Sequence, residues 1–247
     1  SERTGNAADF ALDLLPFSAD ATTAIDLFGP ATLAFGFEAR REEFESKPGD
    51  VQSYAAGPIT TAPIGSQGAP GLAPADAASG DRDVYGVYAE LGLNLTPAFA
   101  VDVAARYEDY SDFGDALLGK IAARWELSDA FALRGSVSNS FRAPSLSQID
   151  FQFSTSQFGP GGTLQTVRTL RNSGPIARAL GAKPLQEETS ENYTLGFVWE
   201  VIPDLTVSVD AFQIKVDDRI TLSEGFFSPA LTTFIQTNFG VAGVQGV

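Results

Sequence analysis

Seven stretches of the chain alternate apolar and polar residues with a period of two, and their charged residues fall almost entirely on one side of that alternation. Ile121 and Trp125, for example, share one side of such a stretch, and Arg124 lies on the other. Successive side chains of a β-strand point to opposite faces, so this period predicts strands. The clear strands are predicted at about residues 33–40, 84–95, 99–109, 117–127, 131–142, 193–201 and 205–220, and a weaker one at 8–14.

A sheet with one apolar and one charged face fits two architectures. In a soluble sandwich the apolar face packs against a second sheet, whereas in a membrane barrel it faces lipid and the charged face lines a wet lumen. Several of the predicted strands have the roughly 9–11 residues that cross a bilayer at a tilt, whereas strands of globular proteins have typically about 5–6. Strand length therefore favours an all-β, antiparallel transmembrane β-barrel.

The connections between the predicted strands differ in kind. Residues 96–98, 128–130 and 202–204 are short turns, residues 44–82 and 143–192 are long connections, and residues 110–115 form a short acidic tip. Each strand reverses direction, so the long connections should lie on the same side of the sheet. Outer-membrane barrels have short periplasmic turns at one rim and long extracellular loops at the other. We therefore predict an up-and-down meander of that kind.

Aromatic residues support two membrane interfaces. Those near the short turns are Phe99, Trp125, Phe131, Phe197 and Trp199, and those near the long connections are Tyr85, Tyr107, Phe141 and Tyr193. Aromatic bands at both interfaces are typical of membrane barrels. The simpler explanation is that aromatic residues are common in strands of any kind. By alternation, three aromatic residues are predicted to face lipid and three arginines to face inward: Trp125, Phe197 and Trp199, and Arg106, Arg124 and Arg134.

The composition narrows the class of function. The 247-residue chain has 31 acidic and 16 basic residues and a formal charge of −15, which argues against nucleic acid and against attachment to anionic lipid headgroups. It has no cysteine and no histidine, which removes thiolate sites, disulfides and the commonest general base. The mean hydropathy of +0.01 is compatible with a membrane barrel, because alternation averages the two faces.

Four segments carry a further pattern. Residues 141–145 read Phe-Arg-Ala-Pro-Ser at the end of a predicted strand, residues 106–115 read RYEDYSDFGD, residues 185–196 read LQEETSENYTLG, and residues 217–220 read Asp-Asp-Arg-Ile. In sequence, order and spacing these segments resemble the barrel of TonB-dependent outer-membrane receptors. Gln186 and Glu187 replace the Lys-Pro usual in that family, a mild departure. The resemblance covers about residues 31–220.

The resemblance implies a barrel of about 22 strands with an N-terminal plug domain inside it. Receptors of this family take scarce nutrients, such as ferric siderophores, cobalamin or oligosaccharides, across the bacterial outer membrane with energy supplied through TonB. Residues 1–247 are interpreted as about eight or nine strands of such a barrel, without the plug, the TonB box or the final strands. The expected partners are a small-molecule nutrient, outer-membrane lipid and, through the missing plug region, TonB.

Two other classes of function are weighed against this one. The alternative is a passive porin-like or adhesin-type outer-membrane barrel without energy coupling. An enzyme is not expected, and no cofactor is predicted, because the sequence has no Gly-x-Ser-x-Gly motif, paired-carboxylate cleft or metal-ligand cluster. Asp109, Asp112 and Asp115 are spaced three apart, unlike the ligands of an EF-hand, which favours a solvated acidic tip over a calcium site.

The candidate functional residues are charges on the predicted lumen face: Arg142, Arg106, Arg124, Arg134, Glu108 and Lys120. The functional interpretation is contact with substrate or plug, and Arg142 is favoured because it ends a strand at the mouth of the lumen. The alternative is neutralisation of these charges across strands, since exposed ion pairs contribute only about 0–1 kcal/mol and tolerate change. No catalytic or metal-binding residue is predicted.

The last predicted strand changes parity along its length. Up to Val209 the apolar residues stand at odd positions, and from Phe212 onward they stand at even positions. A regular strand would place Lys215 in lipid, at a cost of roughly 2–4 kcal/mol near the midplane. We therefore predict a β-bulge at 211–212 that returns Lys215 and Asp217 to the lumen. The alternative is that the strand has left the membrane by Phe212.

Overall fold

The computed structural model of the chain describes residues 8–27, 30–49, 51, 55, 58, 76–158, 162, 164–223, 225–226 and 228–240. The strands are β1 (Ala8–Asp26), β2 (Pro30–Pro48), β3 (Ala78–Thr96), β4 (Phe99–Tyr110), β5 (Gly114–Ser128), β6 (Phe131–Arg142), β7 (Phe153–Phe158), β8 (Leu164–Thr169), β9 (Glu188–Ile202) and β10 (Leu205–Asp217). The helices are α1 (Leu146–Asp150), α2 (Pro175–Ala179) and α3 (Pro229–Phe239).

Eight strands form one sheet in the order β1-β2-β3-β4-β5-β6-β9-β10, and β7 and β8 form a separate hairpin inside the β6–β9 connection. Every neighbouring pair in the large sheet is antiparallel. The predicted antiparallel meander is therefore confirmed. Within the described part of the chain, β1 and β10 have one neighbour each, so the sheet is open.

β1 and β2 extend well beyond the predicted segments. The predictions end at residue 14 in β1 and residue 40 in β2, whereas the strands run to Asp26 and Pro48. The second half of β1 is rich in Ala and Thr, which differ little in polarity, and the end of β2 is charged on both faces. Period-two patterns reveal a strand only where its faces differ, and the ladder of this pair continues without that difference.

The register separates the two predicted faces. Trp125 lies opposite Leu133, and Leu133 lies opposite Phe197, so these side chains share the face that we call outer. Arg124 lies opposite Arg134 on the other face, which we call inner. Residues that are opposite in a ladder point to the same side of a sheet, so the predicted division into apolar and charged faces is confirmed.

Apolar side chains of the outer face are exposed rather than packed. Ile121 is 52% exposed, Trp125 50% and Leu195 67%. The best-buried residues, such as Val84, lie instead near the end of the sheet that carries the long connections. An apolar face this extensive marks contact with another phase or partner. In the described residues, no helix is both long enough and apolar enough to cross a membrane.

The polar boundary of the outer face crosses the sheet at an angle. Its first charged residue, counted from the short turns, is Arg41 on β2 and Lys215 on β10. The register places Lys215 level with Phe35, which is six residues before Arg41 on β2. Because β10 is six strands away from β2, the boundary shifts by one residue per strand. At a rise of about 3.3 Å per residue and a strand spacing of about 4.8 Å, one residue per strand is a tilt of about 35°. Strands of membrane barrels are tilted by about 35–45°.

The predicted bulge at Ala211–Phe212 is wrong. β10 pairs with β9 without interruption from residue 206 to residue 217, and the register shift of this pair lies between residues 205 and 206. Lys215 is therefore on the outer face, opposite Glu191, and its ammonium group is 2.7 Å from Asp217. The tilt explains why no bulge is needed, because at β10 the polar boundary has already descended to Lys215.

Candidate functional site

Inner-face charges of β2, β3 and β4 meet near the long connections and form what we call the ionic cluster. Its members are Glu38, Arg40, Glu42, Arg82, Arg106, Glu108, Tyr110 and Asp112. Arg40 donates to Glu38 and Glu42 at 2.8 Å each. Arg106 donates to Glu38 at 2.8 Å and also to Glu108. Residues two apart on a strand share a face, which brings these side chains together.

Tyr110 lies at the centre of the ionic cluster, just beyond Asp109 at the polar boundary of β4. Its hydroxyl donates to Glu108 at 2.6 Å and accepts from Arg40 at 2.8 Å. The guanidinium carbons of Arg40 and Arg82 lie 5.5 and 5.1 Å from its ring centroid, within reach of cation–π attraction. Burial of Tyr110 and its hydrogen bond to Glu108 raise its pKa to about 12. The phenol therefore stays protonated at neutral pH and donates to the carboxylate.

Arg82 joins four segments of the chain. Its side chain is 6% exposed and donates to Glu42 of β2 at 2.7 Å and to the backbone oxygen of Pro144 at 2.6 Å. Asp112, in the turn between β4 and β5, lies 3.4 Å from the same guanidinium group. Pro144 follows β6, which is three strands from β3 in the sheet. The start of the β6–β9 connection is therefore folded back over the inner face.

A second set of contacts joins the two long connections. Asp76, just before β3, accepts from the backbone N–H and the hydroxyl of Ser154 at 3.0 and 3.1 Å. Its carboxylate is also 3.0 Å from Arg168 of β8. The described ends of the two connections thus meet at one rim, as their order predicts, whereas most of residues 55–80 lie outside the described part of the chain.

The six predicted site residues do not converge on one site. Arg106 and Glu108 belong to the ionic cluster. Arg142, the favoured candidate, donates to Glu188 at the rim at 2.7 and 2.9 Å. Hydrogen bonds from Arg142 and from the backbone N–H of Ile220 hold the pKa of the Glu188 carboxyl down at about 2. Glu188, at the start of β9, therefore joins Arg142 at the end of β6 to the segment after β10.

Arg124 and Arg134 lie opposite each other, and each is paired with a carboxylate. Arg124 donates to Glu126 at 3.0 and 3.2 Å. Arg134 donates to Asp210 of β10 at 2.8 Å, reaching across Gly196 of β9. A Cβ atom at Gly196 would collide with the Asp210 carboxylate, so the ion pair depends on a residue without a side chain. Arg134 is thus paired across strands and Arg124 along its own strand, so of the two only Arg134 follows the cross-strand neutralisation that was the alternative to a binding role.

Lys120 is the exception among the six. Within the described residues it takes part in no hydrogen bond or ion pair. It borders a cavity of about 360 Å³, whose inner-face lining includes Tyr88, Glu90, Arg106 and Ser138. An ammonium group without a partner on a wet face is available to a negatively charged ligand, with which it makes a charge-assisted hydrogen bond.

Neutral polar side chains continue from Lys120 across the inner face of β6 and β9, and we call them the hydroxyl stripe. Its members are Ser136, Ser138, Ser140, Ser190, Asn192 and Thr194. The hydroxyls of Ser136 and Thr194 are 2.7 Å apart, and those of Ser140 and Ser190 are 2.6 Å apart. The stripe is visible in the sequence as polar residues at every second position of both strands, but it carries no charge, so charge patterns do not reveal it.

Sequence patterns do not reveal the roles of Arg82 and Tyr110. The two residues fall at predicted connections, outside the clear alternation. Arg82 contacts Glu42 and Pro144, which are 40 and 62 positions away. Contacts at that separation depend on the register of several strands, which local alternation does not fix.

A calcium site at the acidic tip receives no support. The described residues contain no group of three or more potential ligands placed to hold a metal ion. Asp112 is turned toward Arg82, whereas Asp109 and Asp115 lie opposite each other on β4 and β5. The three carboxylates therefore do not converge.

Comparison with known proteins agrees with this geometry. The model of a family described as TonB dependent receptor-like, beta-barrel, matches residues 3–247. The probable TonB-dependent siderophore receptor PirA of Acinetobacter baumannii is 24% identical over 191 residues, and the ferric enterobactin receptor PirA of Pseudomonas aeruginosa is 28% identical over 135 residues. These alignments cover 76% and 54% of this chain but only 23% and 17% of the two relatives.

Solved structures show the same fold. The siderophore receptor PirA from Acinetobacter baumannii superposes with a TM-score of 0.60 at 22% identity, over 85% of this chain and 28% of that one. A variant of the ferric enterobactin receptor from Pseudomonas aeruginosa, in complex with enterobactin, gives 0.60 at 18% identity, over 84% and 27%. The open sheet therefore matches a section of a larger barrel wall.

Proposed function

Because the chain belongs to the β-barrel family of TonB-dependent receptors, we propose that it is part of an outer-membrane receptor that takes up a ferric siderophore with energy supplied through TonB. The match of the family to residues 3–247 carries the proposal. The tilted antiparallel sheet with one exposed apolar face supports it. Members of this family are transporters rather than enzymes.

The two faces of the sheet define the proposed placement in the bacterial outer membrane. The outer face contacts lipid, because its apolar side chains are exposed, and the inner face lines the lumen. The short turns then face the periplasm, and the long connections, joined through Asp76 and Arg82, face the exterior. A plug domain and the contact with TonB belong to regions of the receptor outside residues 1–247.

We place contact with the substrate at the cavity beside Lys120. Fe³⁺ prefers anionic oxygen ligands, so a ferric chelate is rich in oxygen, and it carries net negative charge when its ligands together carry more than three negative charges. The ionic cluster offers little to such a ligand, because its guanidinium groups are already paired. Lys120 has no partner among the described residues, and the neighbouring hydroxyl stripe supplies neutral donors. The names of the relatives point to the same class of substrate.

The test of transport is uptake of radiolabelled ferric siderophores by cells that depend on the full-length protein carrying this chain. We expect uptake that stops when TonB is deleted or when a protonophore collapses the proton gradient. Uptake that continues under both conditions would instead support a passive porin-like barrel, which the family match does not favour. Cobalamin and oligosaccharides are tested in the same cells to define the substrate class.

The test of the site is the substitution Lys120→Met. Loss of a charge-assisted hydrogen bond should weaken binding of the ferric siderophore roughly tenfold or more. Lys215→Met is the matched control, because Lys215 is on the outer face and pairs with Asp217. If Lys120→Met and Lys215→Met bind the ferric siderophore with equal affinity, Lys120 does not contact the substrate, and the transport proposal is unaffected.

A further inference from the structure

The wall of the sheet is incomplete between β5 and β6. Their backbone ladder ends at the pair Lys120 and Ser138. The ladder of β4 with β5 continues to Gly114, and that of β6 with β9 continues to Arg142. Toward the long connections, β5 and β6 are thus each paired on one side and separated from one another.

A side chain bridges the beginning of this separation. The side-chain oxygen of Asn139 accepts from the backbone N–H of Gly119 at 2.7 Å, and its side-chain nitrogen donates to the backbone oxygen of Leu117 at 3.0 Å. One amide therefore satisfies two backbone groups of β5 that a neighbouring strand would otherwise pair. The strands are held apart by the width of a side chain, which leaves a depression in the outer face.

This depression is a groove of about 460 Å³. It is lined on the outer face by Val103, Gly119, Ile121, Val137, Asn139, Glu191 and Tyr193, and it also reaches the inner-face residues Ala104, Lys120 and Ser138, which border the cavity beside Lys120 as well. The absence of a side chain at Gly119 contributes to its depth. Its volume falls within the about 300–1,000 Å³ of small-molecule sites. Ile121 and Val137 are 52% and 42% exposed, so the floor of the groove is apolar and open.

The groove lies across the polar boundary of the outer face. Val103, Ile121 and Val137 form its end toward the short turns, in the apolar band. At its other end lie Asn139 and Glu191, level with the first charged residues of β9 and β10. The polarity of the groove therefore runs from apolar to polar toward the rim with the long connections.

We propose that this groove binds one lipid of the outer leaflet, with an acyl chain along the apolar floor and the polar headgroup beside Asn139 and Glu191. The inference rests on the proposed placement in the outer membrane. An outer-leaflet lipid has the same order of polarity, with hydrocarbon toward the membrane centre and polar groups at the surface. The groove is also continuous with the exposed apolar face, which the proposed placement puts in contact with lipid.

The substitution Gly119→Val tests the proposal by filling the groove. A Cβ atom at Gly119 would lie 3.7 Å from the Asn139 oxygen and 3.9 Å from the backbone oxygen of Ala104, which are ordinary contacts. Ala123→Val is the matched control, because Ala123 lies on the same face of β5 outside the groove. Both are made in the full-length protein, purified from outer membranes, and stripped of loose lipid by stepwise exchange into detergent.

Native mass spectrometry then counts the retained lipid molecules. We expect the unsubstituted protein and Ala123→Val to retain one more lipid than Gly119→Val. Equal retention in all three would overturn the proposal. Siderophore uptake is measured separately in the unsubstituted protein and in Ala123→Val, because Gly119 also lines the cavity beside Lys120. Absence of uptake in both proteins, with normal lipid retention, counts against the transport proposal alone.

A photoreactive amino acid at Val137 gives a second measurement that does not require Gly119→Val to fold. Irradiation after detergent exchange should yield an adduct with the mass of a lipid, whereas the same group at Val209, on the outer face away from the groove, should not. A protein adduct at Val137, or equal lipid labelling at both positions, contradicts a lipid site in the groove.

Discussion

The ionic cluster and the hydroxyl stripe, which occupy the two halves of the inner face, hold their polar groups in different ways. In the ionic cluster, Arg82, Glu108 and Tyr110 are each 6% exposed and each has several partners. In the hydroxyl stripe, the side chains pair locally, Ser136 with Thr194, and the contacts are exposed. The half of the inner face that carries the most charge is therefore the half that offers the least to a ligand.

Desolvation accounts for the difference. Removing a charge from water is costly, and a buried ion pair recovers that cost only when its remaining donors and acceptors are also satisfied. The ionic cluster meets this condition with three guanidinium groups and the Tyr110 hydroxyl, and Arg82 thereby fixes Pro144 over the inner face. Neutral hydroxyls cost less to desolvate, so a ligand that displaces water from them incurs a smaller penalty than at a charged group. The first half fixes the shape of the rim, and the second leaves a surface for binding.

The substitution Arg82→Met should have the largest effect on stability, because it removes a buried guanidinium group from the ionic cluster. It removes one of the two guanidinium partners of Glu42, leaving Arg40, and it frees Pro144, so we expect the free energy of unfolding to fall by at most about 3–5 kcal/mol. Denaturant unfolding in detergent measures the change. Hydrogen exchange of residues 144–150 should accelerate in the same variant.

Arg41→Met is its control. Arg41 is also paired with carboxylates, Glu43 and Asp81 at 2.8 Å each, but it is 45% exposed. An exposed ion pair at the same rim should be replaceable without measurable loss of stability. If Arg41→Met destabilises the protein as much as Arg82→Met, burial is not what distinguishes the ionic cluster.

The next largest effect is expected at the ion pair between Arg134 and Asp210, which lies on the half of the inner face that carries the hydroxyl stripe. At Gly196→Ala, the new methyl group would meet the Asp210 carboxylate and lie 2.7 Å from the backbone oxygen of Val209. Overpacking of this kind costs about 1–3 kcal/mol. Gly119→Ala, which meets only ordinary contacts, is the control, and denaturant unfolding of both variants in detergent compares them. Equal stability of the two variants would show that the Arg134–Asp210 pair can move aside.

The hydroxyl stripe should respond least to substitution. Ser140→Ala removes contacts with Ser190 and Asn192 and should cost at most about 0.5–1.5 kcal/mol. Ser138→Ala is the control, because Ser138 makes no hydrogen bond to a side chain within the described residues. A loss at Ser140 comparable to that of Arg82→Met, measured by the same unfolding assay, would erase the contrast between the halves.

The contrast also shows what the sequence can predict. Alternation predicts the two faces and the meander because strand parity is a local property, and the register confirms both. The length of β1 is not predicted, because its second half carries little polarity contrast. The predicted bulge at 211–212 is wrong because side-chain alternation in one strand does not show where the polar boundary lies. That boundary depends on the tilt of the strands, which emerges only from the register of the whole sheet.

The candidate site is less predictable than the fold. Six charges share the inner face as expected, but their roles depend on which partner each one meets. Arg142 and Arg106 are engaged in ion pairs, whereas Lys120 is not, and no local pattern separates them. Pairing is set by contacts such as Arg134 with Asp210, 76 positions apart, which only the complete register supplies.

The smallest expected effect is a dependence on pH at the rim. The Glu188 carboxyl has its pKa lowered to about 2 by Arg142 and the Ile220 N–H, so its bonds contribute fully above its ordinary pKa of 4.5 and are lost as pH falls from 4.5 toward 2. The protection factor of the Ile220 amide against hydrogen exchange should decline through this window, because that amide donates to Glu188 at 2.8 Å. Glu188→Gln keeps the shape of the side chain and an accepting oxygen but has no titrating proton, so the protection of the Ile220 amide in this variant should not change with pH through this window. Other carboxylates titrate in the same range, so a decline of equal size in Glu188→Gln would assign the effect to them and not to the rim contact.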